Sequence, residues 1–294
     1  MSVFKRNYRP FTGAPTGGSG RFLALMRYST ADIWSSRITN VLFLLCMAPT
    51  LLATAVIYIM NNNAVRLLIS SNMGGAPNIN INEMYFFVMM QGQCWLALAL
   101  TAWIGPRLMG IDLANNALPT ILSHPISRLE YVLAKFCVMA AFLSAVTWVP
   151  VLFLFVLQSS LSATPWAWSH LHIAYGAFVG CAIWVTLLSL LSLAVSSWVR
   201  WRIVATGMVI AAIFVPAGMG GVFNAVMRTT WGNLLNVPRM MFTLWHRLLQ
   251  VDFPRFAQIG ELPTTAMLMS LAAICVACAM ALDARIRARE VVRG

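Results

Sequence analysis

The sequence predicts an all-α membrane protein with six transmembrane helices, and three observations carry that reading. Of 294 residues, 60% are hydrophobic and 10% charged, whereas a soluble domain carries roughly 25% charged residues. Hydropathy separates six apolar runs, each near the ~20 residues a helix needs to cross a bilayer. The basic residues gather at the ends of those runs. The net charge of +12 therefore reads as a set of topology determinants rather than a nucleic-acid surface.

The elements follow in order. Residues 1–20 are basic and then rich in Gly, Pro, Thr and Ser, which predicts a flexible cytoplasmic arm. Residues 21–294 read as a single transmembrane domain. Between 21 and 37, Phe22, Leu25, Met26, Ile33 and Trp34 alternate at loosely helical spacing with Arg27, Ser29, Asp32 and Ser35. That pattern predicts a helix lying in the inner interface. The spans are expected at about 38–60, 84–104, 131–157, 171–199, 203–223 and 263–282. Residues 61–83 are Asn-rich and nearly uncharged, and residues 159–169 carry Trp166 and Trp168 as an aromatic belt, so both suit the outer face. Arg200-Trp201-Arg202 makes a tight inner turn.

A polar insert separates the second and third spans. The second span is expected to end at Gly105-Pro106. Residues 115–122 can then form a short coupling helix with Leu118, Ile121 and Leu122 on one side. His124-Pro125 stops it, because a residue before proline is pushed out of the helical region. Ser127-Arg128-Leu129-Glu130 matches a capping box, in which the Ser and Glu side chains satisfy each other's backbone donors. Ile126 and Tyr131 occupy the hydrophobic-staple positions. The third span thus starts at a set angle.

The segment after span five is too long for a simple turn. Pro216, Gly218, Gly220 and Gly221 predict a break that turns the chain back and forms an outer gate. Residues 239–251 place Met241, Leu244, Trp245, Leu248 and Leu249 on one face. Arg239, Thr243, His246, Arg247 and Gln250 take the other. This is an amphipathic helix along the outer surface or one arm of a re-entrant pair.

Several chemistries are excluded or unsupported. A P-loop needs Gly-Lys-Ser/Thr, yet Phe4 and Ala134 precede the only two lysines, Lys5 and Lys135. Ion-coupled carriers keep ionisable groups at mid-membrane. All eight acidic residues here lie outside the spans or at their ends, which argues against the rival reading of an ion-coupled secondary transporter. His170 and His172 project about 200° apart on a helix and read as interfacial residues rather than ligands. Cys275 and Cys278 form a lone C-x-x-C beside no histidine, so no metal site is assigned. No Ser/His/Asp or paired-carboxylate arrangement points to catalysis, and no cofactor site is read in this chain. No cleavable leader is read at the N-terminal end.

The stretch from Gly110 to Lys135 resembles the permease subunits of ABC transporters of the type-2 (ABC-2) class, in the branch associated with copper-site maturation and gliding-type operons. The matching residues are Gly110, Ile111, Asp112, Asn116, Ala117, Leu118, Pro119, Leu122, Ser123, Pro125, Ile126, Ser127, Arg128, Tyr131, Val132, Leu133 and Lys135. His124 stands where that branch usually has arginine and Ala134 where it has glycine, so a charge contact at 124 is not carried over. The resemblance implies an exporter permease in the inner membrane of a bacterium, paired with a second copy or a paralogue. A separate ABC ATPase subunit would hold the ATP and magnesium. Asp112, Asn116, Leu118, Pro119, Ile121, Leu122, Ser123, His124, Pro125, Ser127 and Arg128 would couple to that ATPase. The competing expectation is a non-transporting ABC-like scaffold or regulatory subunit.

Charge asymmetry orients the chain. With both termini cytoplasmic, fifteen basic residues fall inside and five outside (Arg66, Arg228, Arg239, Arg247 and Arg255), as the positive-inside rule requires. In a cysteine-free background, single cysteines at Asn72 and Ser123 should therefore label from opposite sides of the membrane. Labelling of both from the outside overturns this topology.

Overall fold

The computed structural model describes residues 18–62, 65, 80–114, 127–162, 166–199, 201–251 and 262–291. All regular structure among them is helical. In chain order the helices are α1 (Gly18–Trp34), α2 (Arg37–Asn61), α3 (Glu83–Ala114), α4 (Arg128–Val146) and α5 (Trp148–Leu161). There follow α6 (Trp166–Ser169), α7 (Leu171–Trp198), α8 (Arg202–Met227), a 3₁₀ turn (Trp231–Leu235), α9 (Val237–Leu248) and α10 (Thr264–Val291). Six segments are long and apolar enough to cross a membrane: Arg37–Asn61, Glu83–Gly110, Arg128–Leu161, Leu171–Trp198, Arg202–Met227 and Thr264–Arg287. The third of these spans α4 and α5 together.

Helices α3 and α7 form the centre. In their most apolar stretches 56% and 61% of residues are buried, against 22% in α2, α8 and α10. The rest pack around this pair: α4 and α5 on one side, α2 against α3 and α5, and α8 and α10 along α3 and α7. Water drives none of this inside a bilayer, so close approach depends on small residues. A side chain at Gly105 would begin 2.6 Å from the Ser192 Cβ, which is closer than side chains pack. Ser192, Ser196 and Ser197 turn their hydroxyls back onto the carbonyls of Ser189, Leu193 and Ala194. The seam therefore exposes no unmet donor from those three residues.

Prolines lie inside several spans, and each removes one backbone hydrogen bond. The expected third span is broken at Thr147, whose backbone (φ −97°, ψ −93°) leaves the helical region. Pro150, three residues on, lacks the N–H that would meet the Val146 carbonyl. Buried Gln93 from α3 supplies it. Its amide is oriented by its partners, with Nε2 donating to Val146 O at 3.0 Å and Cys46 O at 3.1 Å, and Oε1 accepting from Thr50 Oγ1 at 2.6 Å. The same side chain thus holds the stretch of α2 around Pro49. Orphaned backbone in a membrane requires such partners.

Two sequence expectations change here. Helix α3 does not stop at Gly105-Pro106 but continues to Ala114, because Gly105 serves the α7 contact and one missing bond does not end a packed helix. Helix α8 likewise runs unbroken through Pro216, Gly218, Gly220 and Gly221 to Met227. The expected break is absent. Gly220 instead lets the 3₁₀ turn approach, since a Cβ there would overlap the Gly232 carbonyl. Asn224 then bonds Gly232 N at 2.7 Å and Asn233 Oδ1 at 2.9 Å.

Helix α9 buries Met240, Met241, Leu244 and Trp245. Its closest seat is on α7, where Gly180 admits the Trp245 ring and accepts from its Nε1 at 3.1 Å. Trp184, one turn along, donates to Cys94 O at 3.0 Å and meets Trp245 edge to face. Gly220→Ala should destabilise the protein by about 2 kcal/mol through overpacking, read by thermal unfolding in detergent. Gly221, which faces open space, should accept Ala without loss. Equal behaviour of the two variants would overturn this account.

Candidate functional site at the stems of the insert

The insert leaves the end of α3 and returns at the start of α4, and both stems are tied down. On the leaving side, Asp112 carries an ion pair to Lys135 of α4, with Nζ 2.8 Å from Oδ2. The Tyr131 hydroxyl donates to the same oxygen at 2.8 Å. Lys135 sits 5.6 Å from the Tyr131 ring centroid, as residues one turn apart on a helix can. Tyr131 and Lys135 are buried. A buried ammonium would be strongly unfavourable alone, so Asp112 and Lys135 are mutually obligatory.

On the returning side the capping box is formed. Ser127 Oγ accepts from Glu130 N at 3.2 Å, and Ser127 N donates to Glu130 Oε2 at 2.7 Å. Helix α1 lies along α4 and touches α3. Trp34 of α1 stacks near Phe43 and Phe142, at 5.3 and 5.4 Å between ring centroids. Three helices therefore meet where the insert begins. A cavity of about 40 Å³ between them is lined by Tyr28, Ser29, Asp32, Arg107, Leu108, Asp112 and Lys135.

Of the residues expected to couple, Asp112, Ser127 and Arg128 belong to this arrangement. Asn116, Leu118, Pro119, Ile121, Leu122, Ser123, His124 and Pro125 lie outside the described residues. Asp112 faces inward to Lys135 and Tyr131. Sequence reasoning did not pair these three. A signal existed, because Lys135 is a lysine within an apolar helix and one turn from Tyr131, a placement that demands a counter-charge.

At the opposite end of α3, Glu83 draws both histidines. His170 Nε2 and His172 Nε2 lie 3.6 and 3.8 Å from Glu83 Oε1. The projection of 200° between them does not apply, because His170 is the N-cap of α7 (φ −114°, ψ 18°) and not part of the helix. Among the described residues, no group of three or more metal-ligating side chains is arranged to hold an ion. All six cysteines are free thiols.

The fold defines a helical chain with six helices long and apolar enough to cross a membrane, in which the residues on either side of the 115–126 segment are held by Asp112, Tyr131, Lys135 and the Ser127–Glu130 box. No family model matches the chain, and no curated protein matches it. Lys135→Met should cost about 3 kcal/mol by leaving the Asp112 carboxylate without its cation, measured as a lowered thermal midpoint. Adding Asp112→Asn to that variant should restore most of the loss. A double variant no more stable than Lys135→Met would show that the pair is not the anchor.

Proposed function

We propose that this chain is the membrane-spanning permease subunit of an ABC exporter and works with a separate ATPase. The observation that carries the reading is the mounting of the insert. Its leaving stem is held to α4 by Asp112, Tyr131 and Lys135, and its returning stem by the Ser127–Glu130 box. A segment that passes force from a partner into spans must not rotate on its own stems, and a surface loop without that duty requires neither device. Leu118, Ile121 and Leu122 would supply the apolar contact and Pro119 and Pro125 would restrict the turns. The charge distribution supports the same reading, since an ATP-driven subunit needs no mid-membrane carboxylate. The lack of a Gly-Lys-Ser/Thr motif in this chain supports a nucleotide held by the partner.

A tagged chain bearing Leu118→Asp and Leu122→Asp should insert normally yet lose its co-purifying ATPase, because the contact would bury unpaired charge. Ser127→Ala should be milder, with roughly 1 kcal/mol of cap energy lost and association weakened rather than abolished. Retention of the ATPase and of ATP-dependent activity in the double Asp variant overturns the proposal.

A further inference from the structure

Helices α7 and α10 are tied to each other at both ends and leave a groove between the ties. At one end the Trp198 indole of α7 donates to Ala281 O at 3.2 Å. Arg285 of α10 donates to Ser197 O at 3.4 Å and lies 5.1 Å from the Trp198 ring centroid. At the other end α9 bridges the two helices. Its Leu248 carbonyl presses on α7, 2.8 Å from where a Cβ at Gly176 would stand. The neighbouring Arg247 donates to Leu262 O and to Thr264 Oγ1, at the start of α10.

The groove between these ties has a volume of about 420 Å³, within the roughly 300–1,000 Å³ of ligand clefts. Phe178, Ala182 and Thr186 line one wall, and Leu268, Ala272 and Cys275 the other. Steps of three and four residues keep each set on one stripe of its helix. The Thr186 hydroxyl turns back onto Ala182 O at 2.8 Å, so it offers its proton within α7 and not to a ligand. A recess of this lining takes hydrocarbon, because an unfilled one loses dispersion contacts along its whole length. From Phe178 to Thr186 it runs about 12 Å along the helix, close to the ~15 Å that half of a bilayer's hydrocarbon core spans.

The Thr264 end of the groove carries a cation. Leu268 begins the α10 wall one turn, about 6 Å, from Thr264, where Arg247 is bound. Arg247 is exposed. A guanidinium has five N–H donors, and the two bonds named above both go to neutral oxygens. Among the described residues no carboxylate lies within 4.0 Å of it. A cation one turn above a leaflet-length apolar groove matches the spacing of phosphate and acyl chain in a phospholipid.

We infer that the α7–α10 groove holds one acyl chain of a membrane phospholipid whose phosphate meets Arg247. Arginine forks match phosphate oxygens in pairs. This inference needs the chain to sit in a bilayer and is independent of whether it transports anything.

The test uses the full-length protein in neutral detergent, with bound lipid read by native mass spectrometry. A single phospholipid per chain should survive washing that removes bulk lipid, and dioleoyl phosphatidylcholine should rebind after harsher stripping. A182F and A272F push a ring into the groove from opposite walls and should lose the lipid. Ala272 is exposed, so A272F reads the groove even where A182F disturbs packing. V215F, on the exposed face of α8, should keep the lipid. R247Q should weaken retention about fivefold, the share of one interfacial cation, and unchanged retention in it overturns the head-group placement. Millimolar glycerophosphate should fail to displace the lipid; displacement would make the ligand a free phosphate ester and overturn the chain assignment. Full retention in A272F, or equal loss in V215F, overturns the groove as the site. A lipid-free mass of two chains that A272F converts to one would give the groove to a second copy and overturn the proposal.

Discussion

Much of this molecule depends on one buried ion pair, between Asp112 at the end of α3 and Lys135 about two turns inside α4. Removing charge from water costs more than a single hydrogen bond returns, so neither residue can occupy its place without the other. The bond joins the second span to the third across the insert. The same two side chains line the small cavity beside Tyr28, Ser29 and Asp32 of α1. Tyr131 adds a neutral donor to the same carboxylate and lies four residues beyond the Ser127 cap. Cap and ion pair thus act on successive turns at the start of α4.

Within the bundle the organising constraint is different. Hydrocarbon offers no partner to a stray amide or carbonyl, so every departure from regular helix must be answered by a side chain. Gln93 meets the Val146 carbonyl left open by Pro150 and also bonds Cys46 O of α2. Trp184 and Trp245 send their indole N–H groups to carbonyls of neighbouring helices. Glycine and serine on α3, α7 and α8 permit the close approach that makes such reach possible. Gln93, Trp184 and Trp245 thus join helices across the bundle.

The fold was largely legible because its signals are local. Six runs of apolar residues, the cap at Ser127 with Glu130, and the amphipathic pattern of 239–251 are each decided within a few turns of chain. What escaped was decided by neighbours distant in sequence. Gly105-Pro106 looked like the end of a helix until Ser192 gave the glycine a reason to be there. Pro216 and its glycines resembled a hinge, yet Gly220 is small for the sake of Gly232. His170 and His172 were read on a helical wheel that the N-cap conformation of His170 makes inapplicable. At the candidate site the cap could be read directly, whereas the inward turn of Asp112 could not. Its partner lies on another helix.

By itself, the sequence determined that the chain is helical with six runs long and apolar enough to cross a membrane, and that the helix carrying the third of them is capped at Ser127. Hydropathy over twenty residues and a four-residue capping motif suffice for both. Tertiary structure alone decided that α3 and α7 are central, that the third span breaks at Thr147, and that Asp112 pairs with Lys135 and Tyr131. Each of these depends on which remote side chain satisfies a buried charge, an orphaned carbonyl or a missing Cβ. That information exists only once the helices have packed.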